Sequence, residues 1–229
     1  MSDGVALSAL DWWAEAGVDV LADDEPRNWL AAAPNPISAV PAAPAQTETA
    51  LPDTLAAFRA FLLADAALSG GAPGRIDAAG DPTSGIAIVV DMPEIEDRTS
   101  GFLLSGEVGA LFDRMMGAIK LGRDQVYLVS FSPVRPTTGR LTEAEIRKLT
   151  PLLLHHLALA APRKLLLLGD APVQALLQRP AAKARDAVHT VTIGGAEVPT
   201  VASIHPRMVH LRRDYRPLAW ADLQRFEAL

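Results

Sequence analysis

Four nearly continuous apolar segments alternate with helical patterns in the last two thirds of the chain. They read GIAIVV, QVYLVS, KLLLLG and VPTVAS, at 85–90, 125–130, 164–169 and 198–203. Strands that are apolar on both faces are typical of a parallel sheet covered by helices on both sides. The pattern therefore predicts an α/β fold, a three-layer α/β/α sandwich around a central, mostly parallel, four-stranded sheet.

Helices are predicted between these strands, and the loops that follow the strands become the candidate site. The predicted helices cover about 54–68, 106–121, a segment starting at Thr142, 171–177 and 217–228. Thr142 and Glu145 have the spacing of a capping box, and residues 189–203 form a hairpin that supplies the last strand. Ligands gather beyond the carboxyl ends of parallel strands, so we expect the site after Val90, Ser130, Gly169 and Ser203.

Charge divides the chain into two parts. Residues 1–82 hold 12 acidic and 3 basic residues, a net charge of −9, whereas residues 83–229 hold 15 and 18, a net charge of +3. Helical patterns at 6–16 and 25–33 precede a segment rich in Pro and Ala at 34–52, a composition typical of extended linkers. We predict an acidic helical N-terminal segment over 1–82 and an α/β domain over 83–229.

Composition excludes several kinds of site. The chain has no cysteine, which excludes disulfides, zinc–thiolate sites and a cysteine-ligated iron–sulfur cluster. No apolar run approaches the roughly 20 residues that span a bilayer, and the first residues lack a secretion signal. We expect a cytoplasmic monomer with no cofactor, no metal and no membrane partner.

The first loop carries a resemblance to a known family. It reads DMPEIEDRTSGFLLSGEVG at 91–109. The iron–sulfur uracil-DNA glycosylases have a Gly-Glu-Ala-Pro-Gly turn here, then a Glu-Asp pair and a Gly-x-Pro-Phe-x-Gly-x-Ala-Gly segment. Asp91 to Glu94 resemble the turn, Glu96 and Asp97 the acidic pair, and 101–109 the glycine-spaced segment.

Three further loops resemble the same family in the same order. The residues that match the family's motifs are Tyr127, Arg135, Pro136, Thr142 and Glu145 in the second loop, Gly169 and Ala175 in the third, and His205, Pro206, Trp220, Asp222 and Leu223 in the fourth. The resemblance covers residues 85–229. It implies the uracil-DNA glycosylase fold, DNA as the partner, and removal of uracil or a related damaged base without a cofactor.

The chain departs from the family's pattern at five positions. Val90 stands where the family has glycine, Asp91 where it has glutamate, Ser130 where an asparagine reads uracil, and Leu104 where a phenylalanine stacks on the base; Val134 occupies the place of a cluster cysteine. A form of the family that has lost its iron–sulfur ligands is therefore expected.

The resemblance implies roles for individual residues. The enzyme would swing the nucleotide out of the DNA stack, with His205 donating a hydrogen bond to the base and Asp91 supplying a carboxylate near the sugar. The base-binding candidates are Met92, Pro93, Phe102, Leu104, Ser130 and Phe131. The DNA-binding candidates are Arg135, Arg140, Arg207, Met208, Leu211 and Arg212, the last four in a basic stretch over 205–216.

Other interpretations stay open at this point. Asp91 also fits a role in capping the following turn, His205 a role in fixing its loop by bonding backbone, and Ser130 a role as a turn residue. Glu96 and Asp97 fit a solvated or helix-start pair better than a catalytic one. The chain as a whole fits an inactive relative that binds DNA or a repair protein. It also fits an unrelated α/β hydrolase or nucleotide-binding domain, although the phosphate-binding loop, nucleophile elbow and dinucleotide motifs are missing.

Overall fold

The computed structural model describes residues 51–64 and 74–229. The helical patterns predicted at 6–16 and 25–33, and the linker up to residue 50, lie outside the described residues. None of the helices in the described part is long and apolar enough to cross a membrane.

The described elements alternate between helices and strands. The helices are α1 (Leu55–Ala64), α2 (Asp97–Ser100), α3 (Gly106–Ala118), α4 (Glu143–Ala160), α5 (Asp170–Leu177), α6 (Ala181–Ala184), α7 (Pro206–Leu211) and α8 (Arg216–Glu227). The strands are β1 (Ala79–Gly80), β2 (Ile86–Val90), β3 (Tyr127–Ser130), β4 (Lys164–Leu168), β5 (Val188–Ile193) and β6 (Ala196–Ser203). Short 3-10 turns cover Pro82–Ser84, Arg123–Gln125 and Arg213–Tyr215.

The strands form one six-stranded sheet in the order β1-β3-β2-β4-β6-β5. The four central strands are parallel, and β1 and β5 pair antiparallel at the two edges. Val90 pairs with Ser130 and Leu168, and Leu168 pairs with Ser203, so the four carboxyl ends lie level with one another. The predicted fold class is confirmed, but the predicted count of four strands is wrong, because β1 has only two residues and β5 is a strand in its own right.

Apolar side chains fill both faces of the sheet, which gives the three layers. Consecutive strand residues point to opposite faces. Thus Val89 packs in a core with residues of α4 and α5, including Leu153 and Val173. Its neighbour Val90 packs in a second core with α3, α7 and α8, including Phe112. Burial on both faces explains why the strands read as continuous apolar runs.

Several predicted helix boundaries are confirmed, and three short helices were not predicted. Thr142 caps α4: its Oγ1 accepts from the backbone N of Glu145 at 3.3 Å, and Glu145 Oε2 accepts from the backbone N of Thr142 at 2.7 Å. The unpredicted helices α2, α6 and α7 have only four to six residues, too few to show an apolar period of 3.6 residues.

Helix α1 packs on α4 through a buried aromatic side chain. Phe58 is fully buried, and its ring centroid lies 4.7 Å from that of His155 and 5.5 Å from that of His156. His156 Nε2 meets the hydroxyl of Tyr127 at 2.8 Å, and His155 Nε2 meets the carbonyl oxygen of Pro52 at 2.7 Å. Both imidazoles therefore form hydrogen bonds and also pack against the ring of Phe58.

The domain boundary predicted between residues 82 and 83 stays a prediction.

Candidate active site

A cavity of about 840 Å³ lies at the carboxyl ends of the parallel strands, where the topology predicts a site. Its walls include Asp91 after β2, Gly169 after β4 and His205 after β6, together with Arg140, Arg185 and Tyr215. The volume falls in the range of pockets that enclose small molecules. Within residues 51–64 and 74–229, no group of three or more acidic or histidine side chains is arranged to hold a metal ion.

Asp91 is a partly buried carboxylate fixed at the start of α5. Its Oδ1 accepts from the backbone N of Ala171 at 3.0 Å. Burial nevertheless raises the pKa of the Asp91 carboxyl to about 7, because desolvation outweighs that hydrogen bond. Asp91 thus caps α5, which is distant in sequence, rather than the turn that directly follows it, and it also faces the cavity.

Gly169 makes room for the Asp91 carboxylate. Its φ is +110°, and a Cβ at this position would lie 2.3 Å from Asp91 Oδ2 and 2.4 Å from Oδ1. Both the backbone conformation and the close approach require a residue without a side chain. Gly169, which resembles the glycine of the family's third loop, therefore allows the Asp91 carboxylate to approach the backbone.

His205 is buried, neutral and short of one hydrogen-bond partner. Burial lowers the pKa of its imidazole to about 3. Nδ1 accepts from the backbone N of Arg207 at 3.2 Å, so the proton of the neutral ring resides on Nε2. That Nε2 is the one buried side-chain nitrogen or oxygen in the described part of the chain that has no partner. A buried N–H without an acceptor costs about 1–3 kcal/mol, and an acceptor on a bound ligand would remove this cost.

Glu94 connects three of the site-forming loops, and sequence reasoning gave it no role. It is only 6% exposed, its Oε1 accepts from Arg207 Nη1 at 3.0 Å, and its Oε2 lies 3.8 Å from Arg135 Nη1. Burial raises the pKa of Glu94 despite both arginines. His205 Nδ1 lies 3.7 Å from Oε1, but the neutral imidazole forms no ion pair with it. Its partners come from distant loops, so no local pattern indicates this cluster.

Asp97 organises the loop after β2. Its carboxylate is fully buried and accepts four hydrogen bonds, from the backbone N of Glu94 (2.8 Å), Leu104 (3.0 Å) and Ser105 (2.7 Å) and from Ser105 Oγ (2.6 Å). Asp97 begins α2, as a helix-start residue should, but it is not solvated. Its role is to fix the path of residues 94–105.

Of the six predicted base-binding residues, only Met92 lines the cavity. Pro93 is buried beside it, and its carbonyl oxygen accepts from Arg135 at 3.2 Å. Leu104 and Phe131 are buried in the cores on opposite faces of the sheet, and Phe102 is 51% exposed. The Ser130 hydroxyl donates to the carbonyl oxygen of Ser132. The structure therefore does not bring Phe102, Leu104, Ser130 and Phe131 to the cavity.

The predicted DNA-binding residues divide into two groups. Arg140, Arg207 and Met208 line the cavity. Leu211 is 67% exposed at the end of α7, and Arg212 pairs with Asp214 at 2.9 Å and stacks over the Tyr215 ring at 4.7 Å. The side chain of Arg135 is mostly buried and lies 3.8 Å from the Glu94 carboxylate. Asp214 and Glu94 thus offset part of the basic charge that the sequence places here.

Comparison with known protein families identifies a match. The family model described as the uracil DNA glycosylase superfamily matches residues 78–224, a range that begins just before β1 and reaches into α8. No curated protein matches the chain. The matched range contains β1 to β6, the whole described cavity wall, and both Asp91 and His205. This chain is a member of the uracil DNA glycosylase superfamily.

Proposed function

We propose that the chain is a DNA repair glycosylase that hydrolyses the N-glycosidic bond of uracil, or of a related damaged base, and leaves an abasic site. Membership of the superfamily supports a glycosylase-like function in general. The observation that supports hydrolysis of a damaged base is that Asp91 and His205 line one cavity. The first is a carboxylate with a pKa of about 7, and the second has an unpartnered Nε2.

In this proposal His205 stabilises the departing base. When the glycosidic bond breaks, the base leaves with negative charge that is shared by its ring nitrogen and its carbonyl oxygens. A neutral imidazole whose Nε2 carries the proton donates a hydrogen bond to such an oxygen, and its fixed orientation avoids reorganisation as the charge develops. The Arg207 backbone N, bonded to Nδ1 at 3.2 Å, holds the ring in this tautomer.

Asp91 acts on the sugar side of the same bond. As the base departs, positive charge develops on the deoxyribose, and a nearby carboxylate stabilises it or orients the attacking water. The Ala171 backbone N holds one oxygen of this carboxylate in place. Around this pair, Arg207 contacts the DNA backbone, and Met208 and Leu211 on α7 enter the space that the everted nucleotide leaves.

Release of base from a uracil-containing oligonucleotide tests the proposal. We expect free uracil and alkali-sensitive strands without any added cofactor. The substitutions His205→Ala and His205→Gln should each lower the rate by roughly tenfold or more, whereas His189→Gln, on the edge strand β5, should not. Melting curves should accompany each variant to show that it is folded. Strands that stay intact after prolonged incubation with the wild type followed by alkali treatment would overturn the proposal.

A second candidate is a superfamily member that binds DNA or a repair protein without catalysis. It is favoured by Ser130, whose hydroxyl is bonded to Ser132 within its own loop and lies off the cavity. This candidate predicts no base release, together with an affinity for DNA that falls steeply as salt is raised.

A further inference from the structure

One wall of the cavity carries positive charge that its neighbours only half neutralise. Arg185 Nε donates to Asp222 Oδ2 at 2.7 Å, and Arg225 Nη1 donates to Asp222 Oδ1 at 3.1 Å. Ser203 Oγ donates to the same carboxylate at 2.9 Å. Two guanidinium groups thus share one buried carboxylate. A charge that is partly withdrawn from water without full compensation favours binding of a counter-ion.

Arg185 is the guanidinium of this cluster that lines the cavity. Its side chain is 14% exposed and lines the cavity with Ser203, whereas that of Arg225 is 34% exposed. Arg225 also donates to the carbonyl oxygen of Arg185 at 2.7 Å. In the described part of the chain, no group accepts a hydrogen bond from the two terminal nitrogens of Arg185.

Asp222 presents the Arg185 guanidinium in a fixed orientation. The contact to Nε occupies one edge of the planar group and leaves its terminal nitrogens for another partner. Two parallel N–H groups match two oxygens of a phosphate, the bidentate geometry that arginine favours. Asp222 itself is only 1% exposed, so this support is rigid.

The rest of the cavity agrees with an anionic ligand larger than a base. Arg140 also lines it, and within the described residues its guanidinium has no acceptor. The volume of about 840 Å³ is typical of pockets for molecules several times larger than one pyrimidine ring. A base alone would leave the terminal nitrogens of Arg185 without an acceptor.

We propose that Arg185, positioned by Asp222, binds a backbone phosphate of DNA next to the everted nucleotide. The inference rests on the proposed function, because the phosphate belongs to the strand on which the site acts. It adds a phosphate subsite to the cavity and gives Asp222 the role of a positioning residue.

Binding to modified oligonucleotides tests this subsite. The probe is a DNA strand with a stable abasic-site analogue, and each neighbouring phosphate is replaced in turn by a neutral methylphosphonate. The proteins are the wild type, Arg185→Gln, Arg185→Lys and the control Lys183→Gln, which removes an exposed charge two positions away. Affinity is measured by fluorescence anisotropy over a range of salt concentrations.

We expect Arg185→Gln to weaken binding about tenfold and to reduce the salt slope by about 1, and Lys183→Gln to do neither. One methylphosphonate position should weaken binding by the wild type and leave Arg185→Gln unaffected, which is the coupling expected for a direct contact. In Arg185→Lys the same methylphosphonate should still weaken binding, but by less than in the wild type. Lysine keeps the positive charge and lacks the two parallel N–H groups of arginine.

Two results would overturn the subsite: a wild type that tolerates every methylphosphonate, or a methylphosphonate penalty that is as large in Arg185→Gln as in the wild type at every position. If Arg185→Gln does not fold, the methylphosphonate series measured with the wild type and with Arg185→Lys still tests the contact. Base release from uracil-containing strands is measured in parallel. Phosphate dependence without base release would remove the glycosylase proposal alone, and base release without phosphate dependence would remove the subsite alone.

Discussion

Asp91 and His205 respond differently to pH, although both line the cavity. Burial raises the pKa of the Asp91 carboxyl to about 7 and lowers that of the His205 imidazole to about 3. Burial disfavours the charged form in each case. Near neutral pH, His205 is therefore a constant neutral donor, and the carboxylate is the group whose charge varies.

This difference predicts the shape of the pH profile. If the charged carboxylate is the active form, the rate of base release should rise about tenfold per pH unit below 7 and level off above it. Asp91→Asn should lower the rate and remove this dependence, whereas Asp124→Asn, exposed and remote from the cavity, should keep the wild-type profile. Single-turnover rates from pH 5 to 9 provide the measurement. A profile that falls as the pH rises would contradict the assignment.

At the scale of the element, the strands were predictable and the loops between them were not. The apolar runs located β2, β3, β4 and β6 to within two residues, because burial on both faces leaves a continuous pattern. The loop positions of Asp91 and His205 followed from those strands, and both line one cavity; their chemical roles stay predictions.

Most of the predicted base-binding residues do not line the cavity. Tyr127, Val129 and Phe131 alternate along β3 and its extension, and all three lie in the same core. A strand period of two residues would have indicated that Phe131 packs in this core with Tyr127 and Val129. The contacts of Glu94 with Arg207 and Arg135 join three loops, and the distance between loops is not encoded in any local pattern.

The loop after β2 should depend on Asp97 more than on its neighbours. Because an asparagine would direct an NH₂ group at backbone N–H donors, Asp97→Asn should lower the free energy of unfolding by about 3 kcal/mol. Base release should also fall, since residues 91–94 lie on the same loop. Glu96→Gln is the control, because that side chain is exposed and makes no capping hydrogen bond. Urea unfolding measures both variants, and equal stability would refute the role of Asp97.

At the scale of the whole molecule, α1 packs on α4 through the ring of Phe58 and the imidazoles of His155 and His156. His156 is 3% exposed, and burial lowers its pKa to about 4. An unfolded chain binds a proton at this histidine below about pH 6.5, while the folded chain does not until about pH 4. The contribution of His156 to stability is therefore present above pH 6.5 and is lost as the pH falls towards 4.

Replacing His156 should remove this dependence on pH. Between pH 7 and pH 5 the wild type should lose about 2 kcal/mol of stability through this group, so the difference between wild type and His156→Gln should shrink by that amount. Tyr127→Phe removes the same hydrogen bond and keeps the imidazole, so its difference from the wild type should stay nearly constant with pH. Chemical unfolding at both pH values measures these differences. A gap that widens in acid would show that the buried imidazole is not responsible.

The size of the cavity has a consequence for how lesions would be chosen. A cavity of about 840 Å³ is large enough to admit a purine. Ser130 does not line this cavity, so its side chain does not distinguish one pyrimidine from another there. Discrimination would then arise before a base arrives, from the energy needed to unpair and unstack it, which is smallest for mismatched or unpaired positions. Such an enzyme would be selective for weak points in the duplex and tolerant of the chemical identity of the base it receives.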